Sequence, residues 1–343
     1  MKAVDITENS SIIVKEVNEP EMGSGDVLIK LNGCGICGTD KENLHGDSSK
    51  PSTKLGHEIC GTVLRKGQKV DTGIVEGMRV FVHHHTHCNE CHYCLHGNHT
   101  MCEKYEDGLE PCGMSEKFVL PEWNVLNGCL IPLPNSISNE EGVLIEPLGC
   151  CIRAWRKIKA RKNDSCIIFG MGTIGIMHSM LAKYHKFSQI FCVDVNKEKL
   201  KICKEMNLGH GINSTIENFD NIKKLTDNHG VDLIIIATSD IDILKQAIEL
   251  VRKGGKILLF GQPKNNSSCK IDMSQVYSKE ITIHTTYAAS NEDVRKAIDM
   301  IENHSINIKN LVTHKFSIDK SVEAFQCAIK NNSAIKVMIT GIR

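Results

Sequence analysis

Cys166-Ile167-Ile168-Phe169-Gly170-Met171-Gly172-Thr173-Ile174-Gly175 is an apolar run that breaks into a G-x-G-x-x-G loop. An apolar periodicity then continues to Tyr184, so the pattern predicts strand, tight turn and helix in succession. In that setting Gly170 permits the turn, Gly172 lets the backbone approach a pyrophosphate, and Gly175 lets helix and strand pack closely. The N–H groups and dipole at the helix start favour an anion there. Asp194 closes the next apolar run. A carboxylate at that point accepts hydrogen bonds from ribose hydroxyls and repels a 2′-phosphate, which favours NAD over NADP. Lys199 is within reach of the same ribose. Candidate cofactor contacts are Gly170, Gly172, Thr173, Ile174, Gly175, Asp194, Lys199, Thr238 and Gly261.

Working outward, Ile190 to Val193, Leu233 to Ala237 and Lys256 to Phe260 read as further strands, with a helix over Ile241 to Val251. Strands alternating with helices imply an α/β unit whose parallel sheet is covered on both faces. Upstream, Val27 to Leu31, Gly61 to Leu64 and Met78 to Val82 read as short strands between glycine-containing turns. Downstream, Asn291 to Asn303 reads as a helix and Ile335 to Thr340 as a strand that returns to the first domain.

Cys88, Cys91, Cys94 and Cys102 are spaced C-x2-C-x2-C-x7-C. Four crowded thiolates repel one another unless a cation neutralises them, and Zn(II) takes four sulfurs with no open position. That set reads as a structural zinc site. His83, His84, His85, His87, His92, His96 and His99 crowd the same region and read mostly as solvent-facing, because four cysteines already complete the sphere.

Two earlier segments, Gly33 to Asp40 and Gly56 to Gly61, carry Cys37 and His57. A catalytic zinc takes three protein ligands and keeps one position open. Cys37, His57 and a carboxylate, either Glu58 or Glu146, meet that requirement.

The 343 residues are too many for one ordinary core and imply two domains. Lys plus Arg and Asp plus Glu both number 41, which gives no argument for binding nucleic acid or an anionic membrane. Sixteen cysteines without an export signal read as metal ligands and small buried residues, and a cytoplasmic location is the default.

Taken together, Cys37-Gly38-Thr39-Asp40, the Gly56-His57-Glu58-x2-Gly61-x5-Gly67-x2-Val70 signature, the cysteine lobe, Glu146-Pro147 and the glycine loop resemble the zinc-containing medium-chain dehydrogenase/reductase family. The match covers nearly the whole chain. It implies a roll-like, GroES-like β catalytic domain at 1–147, a Rossmann NAD-binding domain with a doubly wound parallel sheet at 148–287, and a return segment at 288–343. The active site would lie in the cleft between them. It also implies two zinc ions per chain, a small-molecule alcohol or ketone substrate, and a homodimer or homotetramer with Glu280 to Thr285 as the contact edge.

Glu146 resembles the polyol and sugar branch, where liver-type alcohol dehydrogenases carry Cys. The branch implies oxidation of a secondary alcohol of a sugar, cyclitol or polyol; a threonine-type 3-dehydrogenase is the alternative. Thr39 would take the hydroxyl proton. Glu42, where the family often has His, would pass it on, and Glu58 would ligate zinc intermittently or orient the site. Loops at 42–54, 105–116 and 284–291 would set specificity.

Overall fold

The structure, a computed structural model, describes residues 1–44, 55–71, 73–105 and 113–341. The chain divides into two units: Met1–Cys150 with Ala288–Arg343, and Cys151–Tyr287. The helix Ile145–Ile158 carries the chain across the first division. Among the described residues, no helix is long and apolar enough to cross a membrane.

The second unit is a six-stranded parallel sheet. Its spatial order is His210–Asn213, Gln189–Asp194, Ser165–Phe169, Val231–Ile236, Val251–Leu259 and Thr282–Thr285. Every residue of Ser165–Phe169 is buried, as expected of a central strand covered on both faces. Ile167, Phe169, Phe191, Val193, Ile234, Ile236 and Ile257 form one continuous core with flanking helices. The chain leaves Ser165–Phe169 toward one edge and later resumes on its other side at Val231–Ile236. This reversal is the doubly wound topology, and ligands bind such sheets outside the carboxyl ends at the switch point.

One boundary differs from the sequence expectation. The helix ends at Leu250 rather than Val251, and the following strand begins at Val251, five residues ahead of Lys256. Val231 pairs with Val251, then the register shifts before Leu233 pairs with Lys256. The irregularity falls at Gly254-Gly255, where Gly254 takes φ +67°. Glycines inside a strand read as an interruption, yet here they mark a bulge within one longer strand.

The first unit holds a seven-stranded sheet. Val312–Ser317, Lys336–Thr340, Val27–Gly35, Glu58–Lys66, Arg79–Val82 and Leu130–Pro132 lie in that order, and Lys117–Leu120 also pairs with Val27–Gly35. All these pairings are antiparallel except the first. Val27, Ile29, Leu31, Ile59, Val63, Val80, Val82, Leu120, Phe325 and Ile339 fill its core. The strand Lys336–Thr340 comes from the end of the chain and pairs Met338 with Gly35 and Ile339 with Cys34.

Candidate functional site

The candidate metal centre is built on one strand pair of the first unit. Gly35, the last residue of Val27–Gly35, is paired with Glu58, the first of Glu58–Lys66. Antiparallel register therefore places Cys37, just past one strand, and His57, just before the other, at the same end of the sheet. The ligand atoms of Cys37, His57 and Glu58 all lie within 4.8 Å of one another. A side chain on Gly35 would fall 1.9 Å from the Glu58 carboxylate, so the position needs glycine for Glu58 to fold back over it.

Asp40 ties the two loops together. It is buried, and its Oδ2 accepts the Cys37 N–H at 2.8 Å while Oδ1 accepts the Gly56 N–H at 3.2 Å. The same Oδ1 lies 3.9 Å from His57 Nδ1. Burial pushes the Asp40 carboxyl up, against the pull of His57 and the amides. For His57, burial opposes the proton, but the neighbouring Cys37 sulfur and Asp40 carboxyl outweigh it and raise its pKa well above the usual range. A metal at this position would therefore compete with a proton.

Glu58 has a partner that the sequence did not reveal. Lys336, buried at the start of the last strand, donates to both carboxylate oxygens at 2.6 and 2.7 Å, and to Ile36 O at 3.2 Å. Nothing in the sequence around Lys336 marks it, since its role comes from a contact between the chain's two ends. Glu146, the other carboxylate, is also buried; its Oε1 accepts from Cys150 Sγ at 3.1 Å and lies 3.9 Å from His85 Nδ1. Burial raises its pKa. Thr39 is exposed, with its Oγ1 3.9 Å from Cys37 Sγ, and Glu42 follows on the same short helix, Gly38–Leu44.

The histidine run differs from its expectation. His83 and His87 are buried, His84 and His85 are half-buried, and only His92 and His96 are fully exposed. The run continues inward from the buried strand Arg79–Val82, and His83 Nδ1 pairs with Asn291 Oδ1 at 2.7 Å. Burial and neighbouring imidazoles hold His84 and His85 well below the usual histidine range, so both are neutral near pH 7.

Cys88, Cys91, Cys94 and Cys102 converge with their ligand atoms within 4.8 Å of one another. Three of the sulfur pairs lie at 3.5, 3.9 and 4.0 Å. Four sulfurs at about 2.3 Å from a tetrahedral Zn(II) stand about 3.8 Å apart, so the cage fits that ion. The Cys91 and Cys88 amides donate to Cys88 Sγ and Cys102 Sγ, both at 3.3 Å. Backbone amides at Glu103 and Cys94 pull the Cys91 thiol down to about 6, which favours the thiolate.

In the second unit, Gly170 lies at φ +89° and Gly172 caps the helix Thr173–Tyr184. A side chain at Gly175 would strike Gly170 O at 1.9 Å, whereas one at Gly172 would meet nothing, leaving open space against the backbone. That is the cradle a pyrophosphate requires. Asp194 ends Gln189–Asp194; its Oδ2 accepts the Met171 N–H at 2.6 Å and Oδ1 the Asn196 N–H at 2.8 Å. Its carboxylate thus braces the glycine loop, and each oxygen keeps a lone pair for another donor. Lys199 is half-buried on Lys197–Glu205. Thr238 and Gly261 follow adjacent strands and sit against each other, with Gly261 N–H donating to Ile236 O at 2.9 Å. Of the loops expected to set specificity, residues 45–54 and 106–112 lie outside the described residues.

Residues 173–303 match the family described as zinc-binding dehydrogenase, and residues 23–134 match the alcohol dehydrogenase GroES-like domain. The chain is 30% identical to a sorbitol dehydrogenase of Halalkalibacterium halodurans, with all of both chains covered. A sorbitol dehydrogenase of Bacillus subtilis is 28% identical, covering 99% of this chain and 97% of that one. Among solved structures, an alcohol dehydrogenase from Thermus sp. ATN1 superposes with a TM-score of 0.87 at 24% identity, over the full length of both.

Proposed function

This chain belongs to the zinc-binding dehydrogenases with an alcohol dehydrogenase GroES-like domain, and on that premise we propose that it interconverts a secondary alcohol of a sugar, cyclitol or polyol and its ketone or lactone, using NAD. The observation that carries the reading is the convergence of Cys37, His57 and Glu58 at one strand end, with Glu146 as a further buried carboxylate. The sorbitol dehydrogenase relatives point to the polyol class.

In this reading Cys37 and His57 hold a catalytic zinc together with Glu58 or Glu146, and the four cysteines hold a second, structural zinc. When bound, the catalytic ion supplies a Lewis acid that makes an alcohol hydroxyl acidic near neutral pH. Asp40 fixes both ligand-bearing loops, so the thiolate and imidazole are positioned before substrate arrives. Lys336 neutralises Glu58 and limits the negative charge crowded around Cys37. Thr39 takes the hydroxyl proton, and Glu42, one turn along the same helix, leads it toward solvent. The glycine loop holds the pyrophosphate, and Asp194 takes the ribose hydroxyls while disfavouring a 2′-phosphate. Thr282–Thr285, the edge strand of the parallel sheet, is the proposed contact of a cytoplasmic homodimer or homotetramer.

Steady-state assays of sorbitol, xylitol, inositols, aldoses and threonine with NAD and with NADP, read by cofactor absorbance, test the proposal. The expected result is the highest kcat/KM for a polyol or sugar with NAD, lost on chelation. A preference for threonine would install the amino-alcohol alternative. Full activity in a metal-free preparation would overturn the mechanism.

A further inference from the structure

The second unit carries a cavity of about 200 Å³ at the end of its sheet opposite the glycine loop. Arg161, Asp164, Asp232, Arg252, Gly254 and Lys256 line it. Ser165 begins the strand Ser165–Phe169, while Asp232 and Arg252 are the second residues of Val231–Ile236 and Val251–Leu259. The cavity therefore lies at the amino ends of three neighbouring parallel strands, whereas the glycine loop follows the carboxyl end of the first of them.

The geometry points to a binding site here for a small oxyanion that carries two negative charges on phosphate or carboxylate oxygens. The site is separate from the cofactor cradle and the candidate metal centres.

The hydrogen-bond supply of the lining argues for it. The Asp232 carboxylate is turned to the protein: Oδ2 accepts from the Ser165 N–H and hydroxyl, both at 2.8 Å, and Oδ1 accepts from Arg252 Nε at 2.6 Å. Arg252 also donates from Nη1 to Lys253 O at 2.7 Å. The guanidinium is thus held on two sides, yet most of its five N–H donors are still to be matched. Gly254, at φ +67°, keeps that group clear, because a side chain there would come within 3.3 Å of Arg252 Nη1. Lys256 donates to Ile158 O at 2.7 Å and Lys159 O at 3.2 Å, which takes up part of its charge. Arg161 makes no side-chain hydrogen bond or ion pair among the described residues; only its backbone N–H is engaged, with Asp164 Oδ2 at 2.9 Å.

Three cations thus face two carboxylates, and the spare hydrogen-bonding capacity of Arg161 and Arg252 is all donor. A cationic ligand would be repelled by this lining. An oxyanion matches it, because its oxygens accept charge-assisted bonds from the guanidinium forks. Arg252, fixed by Asp232, loses little freedom on binding. Arg161 is exposed, so its share of the affinity weakens with salt.

Calorimetric titration of the zinc-loaded full chain with inorganic phosphate and with malonate tests the proposal. Ionic strength is held constant, and NADH is present to fill the glycine-loop cradle. One saturable site per chain is expected, and the tighter probe shows whether phosphate or carboxylate oxygens are preferred. Arg161→Gln should weaken that binding by about tenfold or more, the effect of losing one charge-assisted hydrogen bond, with NADH affinity unchanged. Equal binding by wild type and variant, or no saturable site for either probe, overturns the inference. So does binding that NADH abolishes, since the anion would then occupy the cradle. If Arg161→Gln does not fold, hydrogen exchange of the wild type with phosphate decides. Protection at Ala160 to Ser165 and Val251 to Lys256 is expected, and protection confined to Gly170 to Gly175 overturns the inference.

Discussion

His178 is fully buried on the helix Thr173–Tyr184, where its Nδ1 accepts a hydrogen bond from Trp155 Nε1 at 3.0 Å. The Phe260 ring stands edge-on to it at 4.6 Å. Burial pushes its pKa down to about 3, so the native chain keeps it neutral at any ordinary pH. The unfolded chain protonates the same ring below about 6.5. Between those two values the unfolded state binds the extra proton, so stability falls as the pH drops from about 6.5 toward 3, by up to about 1.4 kcal/mol per pH unit. His178→Gln keeps an acceptor for Trp155 but does not titrate. Urea unfolding at a series of pH values should show a shallower acid slope for this variant than for the wild type; identical slopes would mean that His178 is not held neutral.

Such single-residue roles divide sharply in how far the sequence announces them. The cysteine lobe and the glycine loop were legible because the chemistry fixes ligand spacing and turn geometry over a few adjacent positions. The indole acceptor role of His178, the bracing of Met171 by Asp194 and the inward turn of the histidine run were not, because each depends on a partner brought close only by folding.

At the scale of elements, the strand Lys336–Thr340 contributes more than an added hydrogen-bonded row. It begins with the one buried lysine of the described residues and presents it to Glu58, from the opposite end of the chain. The strand was legible from its apolar run, and its return to the first domain was expected from the order of elements along the chain. The ion pair was not, because register alone decides that Lys336, rather than a neighbour, meets Glu58. Removing one partner of a buried pair strands the other charge. Lys336→Met is therefore expected to destabilise the metal-free chain by roughly 3–5 kcal/mol. The freed Glu58 carboxylate should then turn toward an added cation, so zinc should restore more stability to the variant than to the wild type. Thermal unfolding with and without zinc measures both effects. Equal zinc stabilisation of variant and wild type would show that Lys336 does not restrain Glu58.

At the scale of the whole molecule, the two sets of chemistry belong to different units. Cys37, His57, Glu58, Glu146 and the four-cysteine cage all fall in Met1–Cys150, whereas the glycine loop and Asp194 fall in Cys151–Tyr287. Each unit has its own core, so the second needs no metal to form its parallel sheet. Cys37→Ser or His57→Ala should therefore abolish turnover while NADH still binds, because neither change touches the cradle at Gly172 or the brace at Asp194. Fluorescence titration with NADH and hydrogen exchange of the peptide over 166–196 check this independently of catalysis. Protection of that peptide by NADH should survive both substitutions. Its disappearance along with turnover would mean that the cofactor site depends on the metal loops, and the assignment of separate tasks to the two units would have to be given up.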